Sequence, residues 1–228
     1  MHGINFKHNV PGEGFHITDY PDAAHLGALS GDKAQLVADY ALHRLDLTNA
    51  KQCLEQTTNS NLDYFTQSTF WRMAIINYYR CFKGNNARPT NLIITDYITE
   101  PDGIEAHKYF LLLRDKNVAH DDNALSQCLP GVIVNKADAP HKIEKIITFT
   151  VAAEVYTEGN IHNLNRLIQE ALQHVSVQYD QACDELTNQM EKLPHTELLN
   201  LPALEYKKPT EDNHVAKSRP RHRTNDTK

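Results

Sequence analysis

The chain has 228 residues, 23 Lys+Arg against 29 Asp+Glu, a formal net charge of −6 and 40% apolar residues. That content can bury a core in one domain of ordinary size, and the net acidity excludes a protein that coats nucleic acid through bulk charge. No stretch approaches the ~18 uncharged apolar residues of a membrane span and the N-terminal run lacks an apolar signal region, so a soluble, cytoplasmic protein with no membrane partner is expected. Cys53, Cys81, Cys128 and Cys183 are widely spaced without a CxxC, which suits reduced thiols rather than a disulfide frame or a zinc knuckle.

Residues 1–29 are rich in Gly, Pro, His and Asp without a sustained period and read as an extended or partly ordered segment. The helical domain is expected over 30–193. From Ser30, an N-cap candidate, Leu36, Val37, Tyr40, Ala41 and Leu45 recur at helical spacing and predict a long first helix ending near Asn59. A second helix is predicted from about Leu62 to Lys83, where Phe65, Trp71, Ala74, Ile75, Tyr78, Tyr79 and Phe82 make it the centre of the core. Asn91–Ile98 is too short for periodicity to decide and reads as a short helix or irregular connector. Thr99 and Pro101 then open a third helix carrying Ile104, Phe110, Leu111 and Val118, which ends at the turn-like Asp121, Asp122 and Asn123.

The pattern next changes to β-branched runs, Gly131–Lys136 and Lys145–Ala153, joined by eight residues: a β-hairpin near 131–153. From about Gly159, Leu164, Leu167, Ile168, Ala171, Leu172, Val175, Tyr179, Ala182, Leu186 and Met190 form one stripe of a last long helix. Residues 194–228 read as a polar, basic, disordered tail. From Glu205 to the end there are 7 Lys+Arg against 4 Asp+Glu, a net of +3 that leaves −9 for the rest.

The candidate chemistry lies in LLLRDKNVAHDDN, Leu111–Asn123. Arg114, Asn117 and His120 are three residues apart and trace one oblique ridge of the predicted third helix. On an ideal helix Arg114 and His120 stand about 9 Å apart along the axis and ~120° apart around it. They meet a common ligand if the helix end unwinds at His120, or if a second copy faces the first across a two-fold axis. Asp115 and Asp121 flank the site and suit orientation of the imidazole. The same residue types also suit an ordinary helix C-terminus, where they cap carbonyls and complement the dipole. On the residues alone, both readings stand.

The segment RDKNVAH, Arg114–His120, resembles the R-x4-6-H motif of HEPN domains, with a polar residue directly after the arginine. The upstream aromatic helix FWRMAIINYYRCF, Phe70–Phe82, is the supporting context, and the resemblance covers roughly residues 31–190. It is to the HEPN-like proteins of toxin–antitoxin and phage-defence loci. It implies a mainly α, antiparallel helical bundle, here with a β-hairpin insertion before the last long helix that the minimal HEPN bundle lacks. It further implies a homodimer through the Arg114–His120 helix and a metal-independent endoribonuclease without cofactor. Arg114 and His120 would be catalytic, with Asn117, Asp115 and Asp121 in support and a nucleotidyltransferase-like antitoxin as partner. The alternative within the family is a non-catalytic RNA- or nucleotide-binding or protein-interaction module.

Other features weigh less. His2, His8, His16 and His25 lack the spacing that fixes two metal ligands on one element, so no metal site is expected. His107 reads as a partly buried structural histidine, and the aromatic stripe of the second helix as core. Arg72 and Arg80 fall off that stripe and are candidates to widen a basic groove around Arg114, with plain surface solubilisation as the other reading. Arg219, Arg221 and Arg223 in the tail are candidates to steer RNA. There is no P-loop, GxSxG, GxGxxG or HExxH.

Overall fold

A computed structural model of the chain describes residues 6–7, 16–17, 20, 22–83, 88–118 and 124–204. Five α-helices are described, α1 (Asp32–Thr57), α2 (Tyr64–Tyr79), α3 (Pro101–Leu113), α4 (Glu158–Met190) and α5 (His195–Leu199), with a 3₁₀ turn at Ile94–Asp96 in the segment that periodicity left open. Strands β1 (Phe6–Lys7) and β2 (His16–Ile17) pair antiparallel, as do β3 (Ser126–Val134) and β4 (Ile143–Ala152). The protein is therefore mainly helical with a hairpin before its longest helix.

The chain divides into two compact units: His43–Lys83 with Asn91–His174, and Met1–Leu42 with Gly84–Thr90 and Val175–Lys228. In the first, Trp71, Ile75 and Tyr78 of α2 are buried with Phe110 of α3 and Leu164, Leu167 and Ile168 of α4. Trp71 meets Phe110 edge to face, ring centroids 6.0 Å apart, a geometry that adds to the area the rings bury. α2 starts where it does because the Asp63 carboxylate accepts from the Thr66 amide at 2.8 Å and the Thr66 hydroxyl at 3.0 Å. Those bonds hold the Asp63 carboxyl below its ordinary range. α3 begins on Pro101, whose fixed φ suits the first helical position.

Ile98, just before α3, packs against Gly103. A Cβ at position 103 would stand 2.6 Å from the Ile98 Cγ2 methyl, and Ile98 is itself buried. Gly103→Ala should therefore destabilise the fold by about 1–3 kcal/mol although alanine is the better helix former. A thermal melt checks this, and a variant as stable as the wild type would refute the contact.

In the second unit the Asp39 carboxylate is fully buried, accepting from Gln35 Nε2 at 2.7 Å and from the Thr90 amide at 3.0 Å. The first helix thus departs from its predicted apolar face. Ala41 and Leu45 are exposed, while the inward face runs through Asp39, His43, Asp46, Ala50, Leu54 and Thr57. Its polar members keep the helical spacing, and partners such as Gln35 and Thr90 make their burial tolerable.

The region read as a tail is also partly structured. Pro194 precedes α5, Gly27 bridges Ala203, Ala28 N donates to Pro202 O at 2.6 Å and Leu204 N to Leu26 O at 2.9 Å. The His25 ring bonds Leu201 O at 2.8 Å. Residues 202–204 are thus tied by backbone bonds to 26–28, with α5 just before them.

Candidate functional site

α3 does not run on regularly to residue 120. At Arg114 its ladder widens into a π turn, Arg114–Val118, with i→i+5 bonds in place of i→i+4. This corrects the ridge expected from α-helical spacing, because residues three apart on a π turn do not stack as they do on an α-helix. Asn117 lies in that turn, partly exposed. His120 and Asp121 lie outside the described residues, as do Arg219, Arg221 and Arg223.

The anchor of the turn is Tyr79, at the end of α2. The Arg114 guanidinium carbon sits 4.2 Å from the Tyr79 ring centroid, within cation–π range. Its Nη1 donates to Asp115 Oδ1 at 2.8 Å. Lys83, one turn beyond Tyr79, places its ammonium 5.2 Å from the same ring and 3.8 Å from Asp115 Oδ2. Two cations and one carboxylate therefore gather on one aromatic ring. The Arg114 side chain is 31% exposed, so the guanidinium is held in place yet open to solvent. Its side chain turns to a ring and a carboxylate, which distinguishes it from an arginine that merely caps helix carbonyls.

The electrostatics follow from this packing. The bond from Arg114 holds the Asp115 carboxyl below the usual carboxylate range, helped by the Tyr79 hydroxyl and Lys83. Bonding to the Tyr79 hydroxyl, with smaller help from Asp115, raises the Lys83 ammonium. With both cations charged and one carboxylate ionised, the group carries one net positive charge, suited to an anion such as phosphate.

Arg72 and Arg80 point elsewhere. Arg72 forms an ion pair with Glu154, whose side chain is nearly buried, and Arg80 lies 3.8 Å from Asp46 and 3.3 Å from the Asn77 amide oxygen. The cation beside Arg114 is Lys83, which the sequence reading missed. The available signal was its i, i+4 spacing from Tyr79.

His107 is a structural residue. It is buried, its Nδ1 bonds the Tyr78 hydroxyl at 2.8 Å, and its ring meets Phe82 edge-on at 4.5 Å. Burial pushes its pKa down to about 4, so it is neutral near pH 7. Among the described residues no three His, Cys, Asp or Glu gather to hold a metal ion, and no helix is long and apolar enough to cross a membrane. Comparison of the chain with protein-family models, with curated proteins and with solved structures gives no match.

Proposed function

We propose that the chain is a metal-independent endoribonuclease of HEPN type, working as a homodimer in toxin or phage defence. The observation that carries this reading is the Arg114 guanidinium, stacked on Tyr79, open to solvent and reinforced by Lys83. RNA brings its own nucleophile, the 2′-hydroxyl. Its oxygen attacks the adjacent phosphorus while His120 takes the proton. The P–O5′ bond breaks, the leaving oxygen receives a proton from the second protomer's imidazole, and the products are a 2′,3′-cyclic phosphate and a 5′-hydroxyl. Arg114 stabilises the added charge of the pentavalent phosphorane. One chain supplies one His120, which is why acid and base together require two copies. A nucleotidyltransferase-like antitoxin is the natural partner of such a toxin.

One observation favours a non-catalytic RNA- or nucleotide-binding module instead: Asp115 already occupies part of the Arg114 fork at 2.8 Å. Incubation with structured and unstructured RNA in EDTA separates the two readings. Cleavage that ends in cyclic phosphate and is abolished by His120→Ala, with the helical spectrum unchanged, supports the enzyme. RNA that is bound and left intact by wild type and variant alike supports the module.

A further inference from the structure

The β3–β4 hairpin is apolar on both faces, and both are exposed. Leu129, Ile133, Ile147, Phe149 and Val151 share one face; Val132, Val134, Ile143 and Ile146 lie on the other. These nine residues are 40% to 67% exposed. A lone two-stranded hairpin is marginally stable in water, and a third or fourth strand remedies this.

The two outer edges of the hairpin differ. Ala153 N donates to Leu125 O at 2.8 Å, and the register continues through Gln127↔Val151, Leu129↔Phe149 and Gly131↔Ile147. Opposite pairs in an antiparallel ladder alternate between bonded and unbonded, so these odd-numbered residues bond inward. The even-numbered ones turn their backbone groups outward: Cys128, Pro130 and Val132 on β3, and Ile146, Thr148 and Thr150 on β4. On β3 the middle outward position is Pro130, which has no N–H to give. On β4 it is Thr148, opposite Pro130, with its N–H and C=O free of the hairpin's own ladder. β4 is a ten-residue edge rich in β-branched residues, a template for another strand.

We propose that the hairpin is a dimerisation arm, and that β4 pairs antiparallel with β4 of a second copy of this chain to make a four-stranded sheet. Self-pairing of one antiparallel edge is two-fold symmetric and needs no second surface. Centred on Thr148, it sets threonine opposite threonine and Ile147 opposite the other copy's Phe149, both favourable cross-strand pairs. It also keeps Lys145 away from its own copy. The antiparallel sense brings Ile143, near the tip of each hairpin, alongside Ala153 at the root of the other. The second copy is the partner the ribonuclease reading also needs, held here by a different element.

Sedimentation velocity of the full chain should find a dimer, and Thr148→Pro should convert it to monomer with the helical spectrum intact. Proline removes only an outward N–H there, sparing the hairpin's own bonds. Ile147→Cys combined with Phe149→Cys, in a Cys128→Ser background, should give a covalent dimer on mild oxidation, since across the two-fold these positions face each other as an unbonded pair, where side chains come closest. A monomeric wild type overturns the proposal, as does a doubly substituted protein that stays uncross-linked, whether another surface or another protein is then the contact. Neither readout involves RNA, so an inactive protein with a β4 dimer would defeat the ribonuclease reading and leave the arm standing.

Discussion

Arg114→Lys should lower RNA cleavage nearly as much as Arg114→Ala, by about 10²- to 10³-fold in rate, the usual loss when a donor to the transition-state oxyanion is removed. The two substitutions differ in charge, so their similarity is the informative outcome. A guanidinium is a planar fork that stacks on the Tyr79 ring at 4.2 Å and can still present donors outward. An ammonium is a point charge, and the site already has one in Lys83. Asp115→Asn should act in the opposite direction: removing the carboxylate that Arg114 bonds at 2.8 Å should tighten RNA binding and steepen its salt dependence. Single-turnover cleavage and a salt titration of binding measure both effects. Full activity in Arg114→Lys would show that only charge is required, and would remove the stacked guanidinium from the mechanism.

The second large effect concerns pH. The His107 pKa falls from 6.5 to about 4 on folding because the ring is buried. Between those values the unfolded chain binds a proton that the folded chain refuses, so stability declines as pH falls from about 6.5 toward 4. The loss reaches roughly 3 kcal/mol at pH 4. His107→Leu should be less stable at neutral pH, since the Tyr78 hydroxyl loses its partner at a cost of about 1–3 kcal/mol. It should also show a much flatter acid limb, retaining the part due to His174, which burial shifts in the same direction. Urea unfolding across the range gives both slopes; equal slopes in wild type and variant would sink the assignment.

Much of the helical framework was legible because it follows an apolar period. The α4 stripe through Leu164, Leu167, Ile168, Ala171, Val175, Ala182 and Leu186 is buried as its spacing predicts, and Trp71 and Tyr78 do centre a core. The inward face of α1 was not legible, because Asp39, His43 and Asp46 occupy it and a search for apolar periodicity selects the other side. The pairing of Gly27 with Ala203 links positions far apart in sequence, beyond any local rule. At the candidate site the α-helical spacing read through Arg114 and Asn117 gives way to a π turn. No residue pattern announces a π turn, and the partnership of Tyr79 and Lys83 with Arg114 arises only once α2 and the turn meet. The hairpin showed itself through β-branched runs; that both faces stay open is a tertiary fact.

Pro130 bears on how far assembly can go. An arm with two open edges would take a neighbour on each side and grow without limit, each added copy offering a fresh edge to the next. The β3 edge lacks its central donor, so on the pairing proposed above β4 is the favoured edge and a closed two-fold pair is the expected end point. A β-rich, apolar segment such as Ile146–Val151 is a hazard in any abundant protein. If β4 pairs as proposed, Pro130 on the neighbouring strand limits that hazard to one of the two edges.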